Sequence, residues 1–220
     1  SLKPYLVEEV YEVLEAIDRQ DPALLEEELG DLLLQIVLHA QIAAENKQFT
    51  LREVATHIAD KMIRRHPHVF ADVKVSGTED VWRNWEQIKK TEKKDQESIL
   101  DSVPAALPAL FRAAKVQKKA ARVGFDWPDE QGVLEKIKEE ISEFAAVDNR
   151  LKQTDEFGDI LFSLVNLARK LDIDAEDALR LATNKFEKRF RHVEKQVNVS
   201  GKQWKDFSLT ELDGFWNEAK

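Results

Sequence analysis

The sequence predicts an all-α protein built from two similar helical units, and three observations lead to this prediction. Apolar residues recur at helical spacing through most of the chain, and no stretch has the alternation typical of β-strands. Charged residues make up 34% of the chain and only 7 residues are glycine, a composition that suits helices. A set of acidic residues in the first half recurs in the second, as expected of repeated bundles of antiparallel helical hairpins.

The first two helices are predicted from proline positions and apolar spacing. Pro4 stands where the first turn of a helix tolerates proline, and the apolar stripe that follows ends before Asp21 and Pro22. A second helix begins at this point, and residues 32–38 (L-L-L-Q-I-V-L) make it apolar on nearly every side. We therefore expect the second helix to be central and buried.

Two capping signatures predict the helices that follow. Thr50 with Glu53 has the spacing of a capping box, in which each side chain accepts a hydrogen bond from the other residue's backbone amide. This pair predicts the start of a third helix. Ser76 with Glu79 has the same spacing and predicts a fourth helix that extends to about residue 89.

The regular pattern lapses between about residues 96 and 108, where two prolines interrupt it. We place the boundary between the units here, so that the units span residues 1–97 and 98–220. In the second unit Asp174 and Ser208 are expected to cap the last two helices. The helices predicted for this unit cover about 109–122, 130–149, 152–171, 175–199 and a short segment after residue 208.

The repeated acids come in pairs spaced one helical turn apart. In the second half Glu140 and Glu143 share one helical face, and Glu156 and Asp159 share a face of the next helix. The corresponding acids of the first half are Glu9, Glu12, Glu28 and Asp31. A glycine stands beside the second pair in both halves, at Gly30 and Gly158. Because glycine costs a helix about 1 kcal/mol relative to alanine, its double use suggests a close backbone approach.

Four carboxylates that converge from two helices would repel one another. Asp159 also lies in an apolar run, where burying an unpaired carboxylate would be costly. A hard divalent cation removes both problems, since Mg²⁺ prefers carboxylate oxygens and keeps several waters. For one pair alone, a solvated helix face is the simpler interpretation, but the recurrence of all four acids favours a metal site.

A basic string is repeated as well. Lys185 and Arg189 lie four residues apart on one face of a predicted helix, and Lys61 and Arg65 are their counterparts. Cations near an acidic metal site suit a polyphosphate, although an ordinary solvated face or a charge bias at a helix C-terminus would give the same pattern. Trp216 either stacks on a nucleobase or packs in the core.

Composition excludes several other classes of protein. The formal net charge of −9 disfavours a nucleic-acid or membrane partner, because both require a basic surface. The chain has no cysteine, which excludes disulfides, thiolate zinc sites and cysteine nucleophiles. No apolar run is long enough to span a membrane, and the first residues lack a signal-peptide pattern, so a cytoplasmic protein is expected. No phosphate-binding glycine-rich loop and no nucleophile elbow occur in the sequence.

These strings resemble the MazG family of nucleoside triphosphate pyrophosphohydrolases, whose signature is E-E-x-x-E followed by E-x-x-D on the next helix. The resemblance covers nearly the whole chain, and the tandem arrangement of the two units is similar to that of the two-domain members. It implies MazG-like all-α units, Mg²⁺-dependent hydrolysis of nucleoside triphosphates to monophosphate and pyrophosphate, Mn²⁺ as a substitute cation, and a homodimer. The strings that carry it include R-R-H-P-H-V-F at 64–70, G-F-D-W-P at 124–128 and K-F-E-K-R-F-R at 185–191.

The resemblance also implies roles for individual residues. Either Glu139 or Glu140 would be the catalytic carboxylate that takes a proton from the attacking water. The metal ligands by similarity are Glu140, Glu143, Glu156 and Asp159, with Glu9, Glu12, Glu28 and Asp31 as a less certain set in the first unit. The residues that would contact nucleotide are Lys136, Glu139, Lys185, Arg189 and Trp216.

The sequence departs from the family at one point. Family members usually carry a Gly-Cys-Pro-Trp stretch before the first acidic helix, and this chain begins just short of it at Ser1. The second unit keeps its corresponding lead-in, which ends at residues 124–127. We therefore expect catalysis in the second unit, by in-line attack of a metal-activated water on the α-phosphorus.

Three alternatives remain open at this stage. A related enzyme of narrower specificity would accept one deoxynucleotide, or phosphoribosyl-ATP, on a similar helical metal site. A carboxylate-bridged di-iron bundle is disfavoured because such bundles use Glu-x-x-His motifs, which the chain lacks. A non-catalytic scaffold that binds a partner protein through its helical faces would bind no Mg²⁺.

Overall fold

The computed structural model describes residues 2–71, 73, 76–78, 80–81, 84–85, 88 and 98–220. Throughout these residues the regular elements are helices, with no β-strand among them, which confirms the predicted all-α class. No helix in the described ranges is both long and apolar enough to cross a membrane. The chain divides into two compact units, Ser1–Asp95 and Gln96–Lys220. The predicted boundary after residue 97 adjoins 89–97, which lie outside the described residues, so its position stays a prediction.

The first unit is organised by a hairpin of two helices, with a third helix packed on the second member. Asp21 starts the second helix by accepting hydrogen bonds from the backbone amides of Ala23 and Leu24. Thr50 and Glu53 form the predicted capping box, and Ser76 contacts Asp80, whereas its predicted partner Glu79 lies outside the described residues. The helices are α1 (Lys3–Arg19), α2 (Pro22–Glu45), α3 (Leu51–Arg65) and the short α4 (Pro67–Phe70).

The second unit is organised by a hairpin of the same kind. Its helices are α5 (Ala109–Ala121), α6 (Glu130–Ala146), α7 (Arg150–Lys170), α8 (Ala175–Ser200) and α9 (Leu209–Glu218). A 3₁₀ turn, Trp204–Asp206, precedes α9. α6 and α7 form the hairpin, α5 packs on α7 and α8, and α9 returns onto α8. The predicted caps at Asp174 and Ser208 are present.

The prediction that the second helix is buried is wrong. Leu29, Leu33 and Leu34 of α2 are each at least half exposed, and Leu33 reaches 58%. The residues of α2 that are buried are Gln35, Ala40 and Ala43. A helix that is apolar on every side needs neighbours on every side, but within the described part of the first unit α2 packs against α1 and α3.

The expectation of a close backbone approach at Gly30 and Gly158 is also wrong for the folded chain. A Cβ atom built at either residue would meet, among the described residues, no atom within 4 Å apart from its chain neighbours and the backbone of its own helix. Close approach occurs instead at Gly132, where a Cβ would lie 2.4 Å from Cδ1 of Trp127. Gly124, at the start of the same loop, has a φ of +88°, which glycine adopts without strain.

Candidate functional site

Three of the predicted acids of the second unit come together at the α6–α7 hairpin. Glu140, Glu143 and Glu156 each offer a carboxylate oxygen, and these oxygens all lie within 4.8 Å of one another. Asp129 caps α6 and Asn149 caps α7, so local sequence signals set where both helices begin. A single cation with oxygen ligands could contact all three carboxylates at this separation.

The deepest acid of this cluster is balanced by a lysine on its own helix. Glu140 is 4% exposed, and its carboxylate accepts a hydrogen bond from Lys136 Nζ at 2.6 Å. The same ammonium lies 2.9 Å from the exposed Glu139. Hydrogen bonds to Glu140 and Glu139 raise the pKa of Lys136 above its ordinary value, so it stays charged. The buried carboxylate is therefore paired, as the cost of burying an ion requires.

Asp159 does not have the environment that its neighbours in sequence suggested. It is exposed, and the apolar side chains around it in the chain, such as Phe157 and Phe162, are exposed as well. It also lies outside the three-acid group, although it remains close enough to act on Glu156. Partial burial raises the pKa of Glu156 first, and the charges of Glu143, Glu140 and Asp159 raise it further. The prediction of a buried Asp159 is wrong, while its role as a metal ligand stays a prediction.

The first unit has an acidic cluster of its own. Glu9 of α1 with Glu28 and Asp31 of α2 place carboxylate oxygens within 4.8 Å of one another. Glu12, the fourth predicted acid, is exposed and outside this group, although burial and then the charges of Glu28 and Glu9 raise its pKa. Glu9 also accepts a hydrogen bond from Gln35 Nε2 at 3.2 Å. Gln35 was not among the predicted site residues, since it lies within the apolar run of α2.

An arginine and a tryptophan form a pair in each unit. The Arg189 guanidinium lies 5.6 Å from the ring centroid of Trp216, and that of Arg65 lies 5.4 Å from the ring of Trp85. These distances fit cation–π contacts. In the second unit α8 and α9 form the pair, whereas α6 and α7 carry the acids. Lys185, one turn before Arg189 on α8, is exposed.

The G-F-D-W-P loop at residues 124–128 has no role that its sequence indicates, and the structure shows how it is held. Asp126 accepts hydrogen bonds from Arg169 at 2.5 Å and Lys170 at 2.9 Å, both at the end of α7. Burial opposes ionisation of Asp126, but these two cations outweigh it and lower its pKa. Lys170 also donates to the Trp127 carbonyl, and the buried Asn166 accepts from Arg169 at 2.6 Å. The loop is therefore anchored to the hairpin that carries the acids.

The chain is similar in sequence to a known protein family and to members of it. The family model described as the MazG nucleotide pyrophosphohydrolase domain matches residues 1–70 and 129–194, which include both acidic clusters. The chain is 45% identical over 221 residues to the nucleoside triphosphate pyrophosphohydrolase/pyrophosphatase MazG of Thermotoga maritima, across 100% of the chain and 85% of the relative. It is 46% identical over 227 residues to the nucleoside triphosphate pyrophosphohydrolase of Escherichia coli K12, across 100% of the chain and 86% of the relative.

Proposed function

Because the chain belongs to the MazG nucleotide pyrophosphohydrolase family, we propose that it hydrolyses nucleoside triphosphates to a monophosphate and pyrophosphate. The bond cleaved is the one between the α-phosphorus and the oxygen that bridges it to the β-phosphorus. The observation that carries this proposal is the convergence of Glu140, Glu143 and Glu156 within 4.8 Å on one hairpin. Such a cluster of oxygen ligands suits the cation that phosphoryl hydrolysis requires.

The cation that we propose is Mg²⁺, with Mn²⁺ as a substitute. The three clustered carboxylates would hold it, and Asp159 beside Glu156 is available as a further ligand. When bound, a divalent cation lowers the pKa of a ligated water and neutralises phosphate charge. The raised pKa of Glu156 supports the assignment, because it reports partial burial and negative charge that a cation would compensate.

Two glutamates next to each other in sequence have different proposed roles. Glu140 is buried and held by Lys136, which fixes the position of its carboxylate. Glu139 contacts the other side of the same ammonium and is exposed, so its second oxygen is free to approach a water. We assign proton acceptance to this pair, with Glu139 as the more accessible member. Lys136 would be released toward nucleotide phosphate as the cation takes its place beside Glu140.

The triphosphate and the base would be held by α8 and α9. Arg189 lies over the ring of Trp216, a contact that would orient the guanidinium while leaving its N–H groups able to bind phosphate. Lys185 lies one turn away on α8 and adds a second charge for the polyphosphate. The half-buried indole of Trp216 offers an aromatic surface on which a base can stack.

We also propose that the protein is a cytoplasmic homodimer. Large apolar side chains of α2 are exposed in the single chain, and contiguous apolar surface of this kind is typical of protein interfaces. A second copy would cover these side chains and provide neighbours beyond α1 and α3, the helices on which α2 packs in the described part of the first unit. Sedimentation analysis measures the oligomeric state, and a monomer at micromolar concentration would contradict the proposed homodimer.

The experiment that tests the function is pyrophosphate release from the eight common ribo- and deoxyribonucleoside triphosphates, with and without Mg²⁺. We expect release from several triphosphates with Mg²⁺ and none without it, whereas a narrower enzyme would act on a single one. Glu143→Gln should remove release while helicity remains. Glu135→Gln is the matched control, because Glu135 lies exposed on α6 and contacts Gln131. Full activity of Glu143→Gln would contradict the site.

A further inference from the structure

One buried polar side chain beside the first acidic cluster is left with an unsatisfied atom. Gln35 is 7% exposed and donates a hydrogen bond from Nε2 to Glu9 at 3.2 Å. Its Oε1 is buried and accepts no hydrogen bond from any residue that the structure describes. Leaving a buried acceptor unpaired costs free energy, because the atom loses its hydrogen bond to water, so natural proteins rarely retain one without a reason.

The surroundings of Gln35 limit what can pair with this oxygen. Gln35 lies one turn after Asp31 on α2 and contacts Glu9, so it adjoins two of the three clustered acids. Ionised carboxylates only accept hydrogen bonds, and so does an amide oxygen. The missing group must therefore be a donor located among acceptors. Water bound to a cation is such a donor, because the ion attracts the carboxylates while its waters present their hydrogens outward.

We propose that Gln35 is a positioning residue of a divalent-cation site in the first unit, made by Glu9, Glu28 and Asp31. Its Nε2 holds the Glu9 carboxylate, and its Oε1 accepts a hydrogen bond from a water on the ion. Every polar atom of Gln35 is then paired. The inference rests on the proposed metal-dependent function only in its choice of a hard cation such as Mg²⁺ or Mn²⁺.

The second unit indicates what is special about this arrangement. Aligning the acids of the two units places Tyr5 opposite Lys136 and Gln35 opposite Ser163. The buried acid of the second unit is paired with an ammonium, whereas Glu9 receives a hydrogen bond from a neutral amide. An amide orients a carboxylate without neutralising it, so the full charge stays available to an ion. The first-unit site therefore holds its cation without nucleotide.

A Mn²⁺ titration of the full chain tests the proposal. Glu143→Gln with Glu156→Gln disables the second cluster, so that the loss of the free-ion spin resonance signal reports the first unit. In this background Gln35→Leu should weaken Mn²⁺ binding about tenfold, the usual effect of removing a group that orients a metal ligand. Gln41→Leu is the matched control, because Gln41 is exposed on the same helix and contacts Glu45; it should bind Mn²⁺ as the background does.

Thermal unfolding separates positioning of the ion from simple support of the fold. At a given ion concentration, a bound ion raises the unfolding temperature by an increment that grows with its affinity, so the proposal predicts a smaller increment from Mn²⁺ in Gln35→Leu. A merely structural role would lower the unfolding temperature in EDTA and leave the Mn²⁺ increment unchanged. That pattern would overturn the proposal, as would Mn²⁺ affinity equal to that of the background, or a background that binds no Mn²⁺.

The Mn²⁺ titration and the pyrophosphate assay test two different proposals, and either proposal can be wrong while the other is right. If the unmodified chain releases no pyrophosphate from any triphosphate, the proposed function is wrong, but the Mn²⁺ titration still decides the role of Gln35. If pyrophosphate is released and Gln35→Leu binds Mn²⁺ normally, the function stands and the role of Gln35 is rejected.

Discussion

The two units place corresponding acids on the same kind of helical hairpin but balance the charge of these acids differently. In the second unit the buried Glu140 is paired with the Lys136 ammonium at 2.6 Å. In the first unit the half-buried Glu9 accepts a hydrogen bond from the Gln35 amide at 3.2 Å. Only part of the cluster corresponds in the two units. Glu9 and Glu28 match Glu140 and Glu156, but the third member is Asp31 in the first unit and Glu143 in the second, and these two are not counterparts. The ammonium neutralises Glu140, whereas the neutral amide leaves the charge of Glu9 available to an ion.

The Arg–Trp pair is a feature that both units share. The guanidinium of Arg65 lies 5.4 Å from the ring centroid of Trp85, and that of Arg189 lies 5.6 Å from the ring centroid of Trp216. The aromatic surroundings of the two pairs differ. The ring centroids of Trp216 and Phe186 lie 5.1 Å apart, whereas the residue of the first unit that corresponds to Phe186 is Met62. The pair alone therefore does not distinguish a catalytic unit from one that is not.

The largest expected effect separates Glu140 from its counterpart Glu9. Glu140→Gln should reduce pyrophosphate release at least about 100-fold, because it removes a proposed metal ligand and the partner of Lys136. Glu9→Gln should reduce the rate of pyrophosphate release less than about threefold, since we propose that catalysis takes place in the second unit. Steady-state rates at saturating triphosphate and Mg²⁺ measure both, and equal losses would erase the proposed difference between the units.

The next effect concerns the two tryptophans. Trp216→Ala should raise the KM for triphosphate about tenfold, because base stacking on an aromatic ring contributes about 1–3 kcal/mol. Trp216→Phe should recover most of this loss if stacking is the cause. Trp85→Ala should leave KM within threefold of the parent. A larger KM change in Trp85→Ala than in Trp216→Ala would assign nucleotide binding to the first unit instead.

A smaller effect follows from exchanging the charge partners. Lys136→Met should tighten Mn²⁺ binding by the second unit about fivefold at pH 8 without nucleotide, because the ammonium and the ion compete for Glu140. Tyr5→Lys should weaken binding by the first unit to a similar extent. Calorimetric titration with Mn²⁺ measures each site separately when the acids of the other unit's cluster are replaced. Unchanged affinities in both variants would show that these residues do not set cation binding.

The smallest effect tests the loop that anchors the second unit. Asp126→Asn should lower the free energy of unfolding by about 1–2 kcal/mol at pH 7, because it removes hydrogen bonds to two cations. The pKa of Asp126 is lowered in the folded protein, so its stabilisation is present above the ordinary value of 3.8 and is lost as the pH falls through the lower folded value. The difference between parent and variant should therefore vanish in acid. Urea unfolding across pH 2.5–7 measures it, with the exposed Asp148→Asn as control.

Much of the fold could be predicted because helix boundaries depend on residues close together in sequence. Thr50 with Glu53, and Ser208 with Glu211, form the capping boxes that their spacing indicated. The recurrence of the acids likewise required only helical periodicity to suggest a cluster on each hairpin. Burial was harder to predict, since it depends on which neighbours a helix has. The exposed leucines of α2 and the exposed Asp159 are the two clear errors of this kind.

The sequence by itself determined the helices, their order, the repeat and the kind of chemistry that paired carboxylates support, because each of these depends on spacings of a few residues. Only the tertiary structure decided which acid is buried and what balances it. The Gln35–Glu9 contact joins residues 26 apart in the chain, and the Asp126–Arg169 contact joins residues 43 apart. Contacts of this range are set by how helices pack against one another, which no local pattern in the sequence specifies.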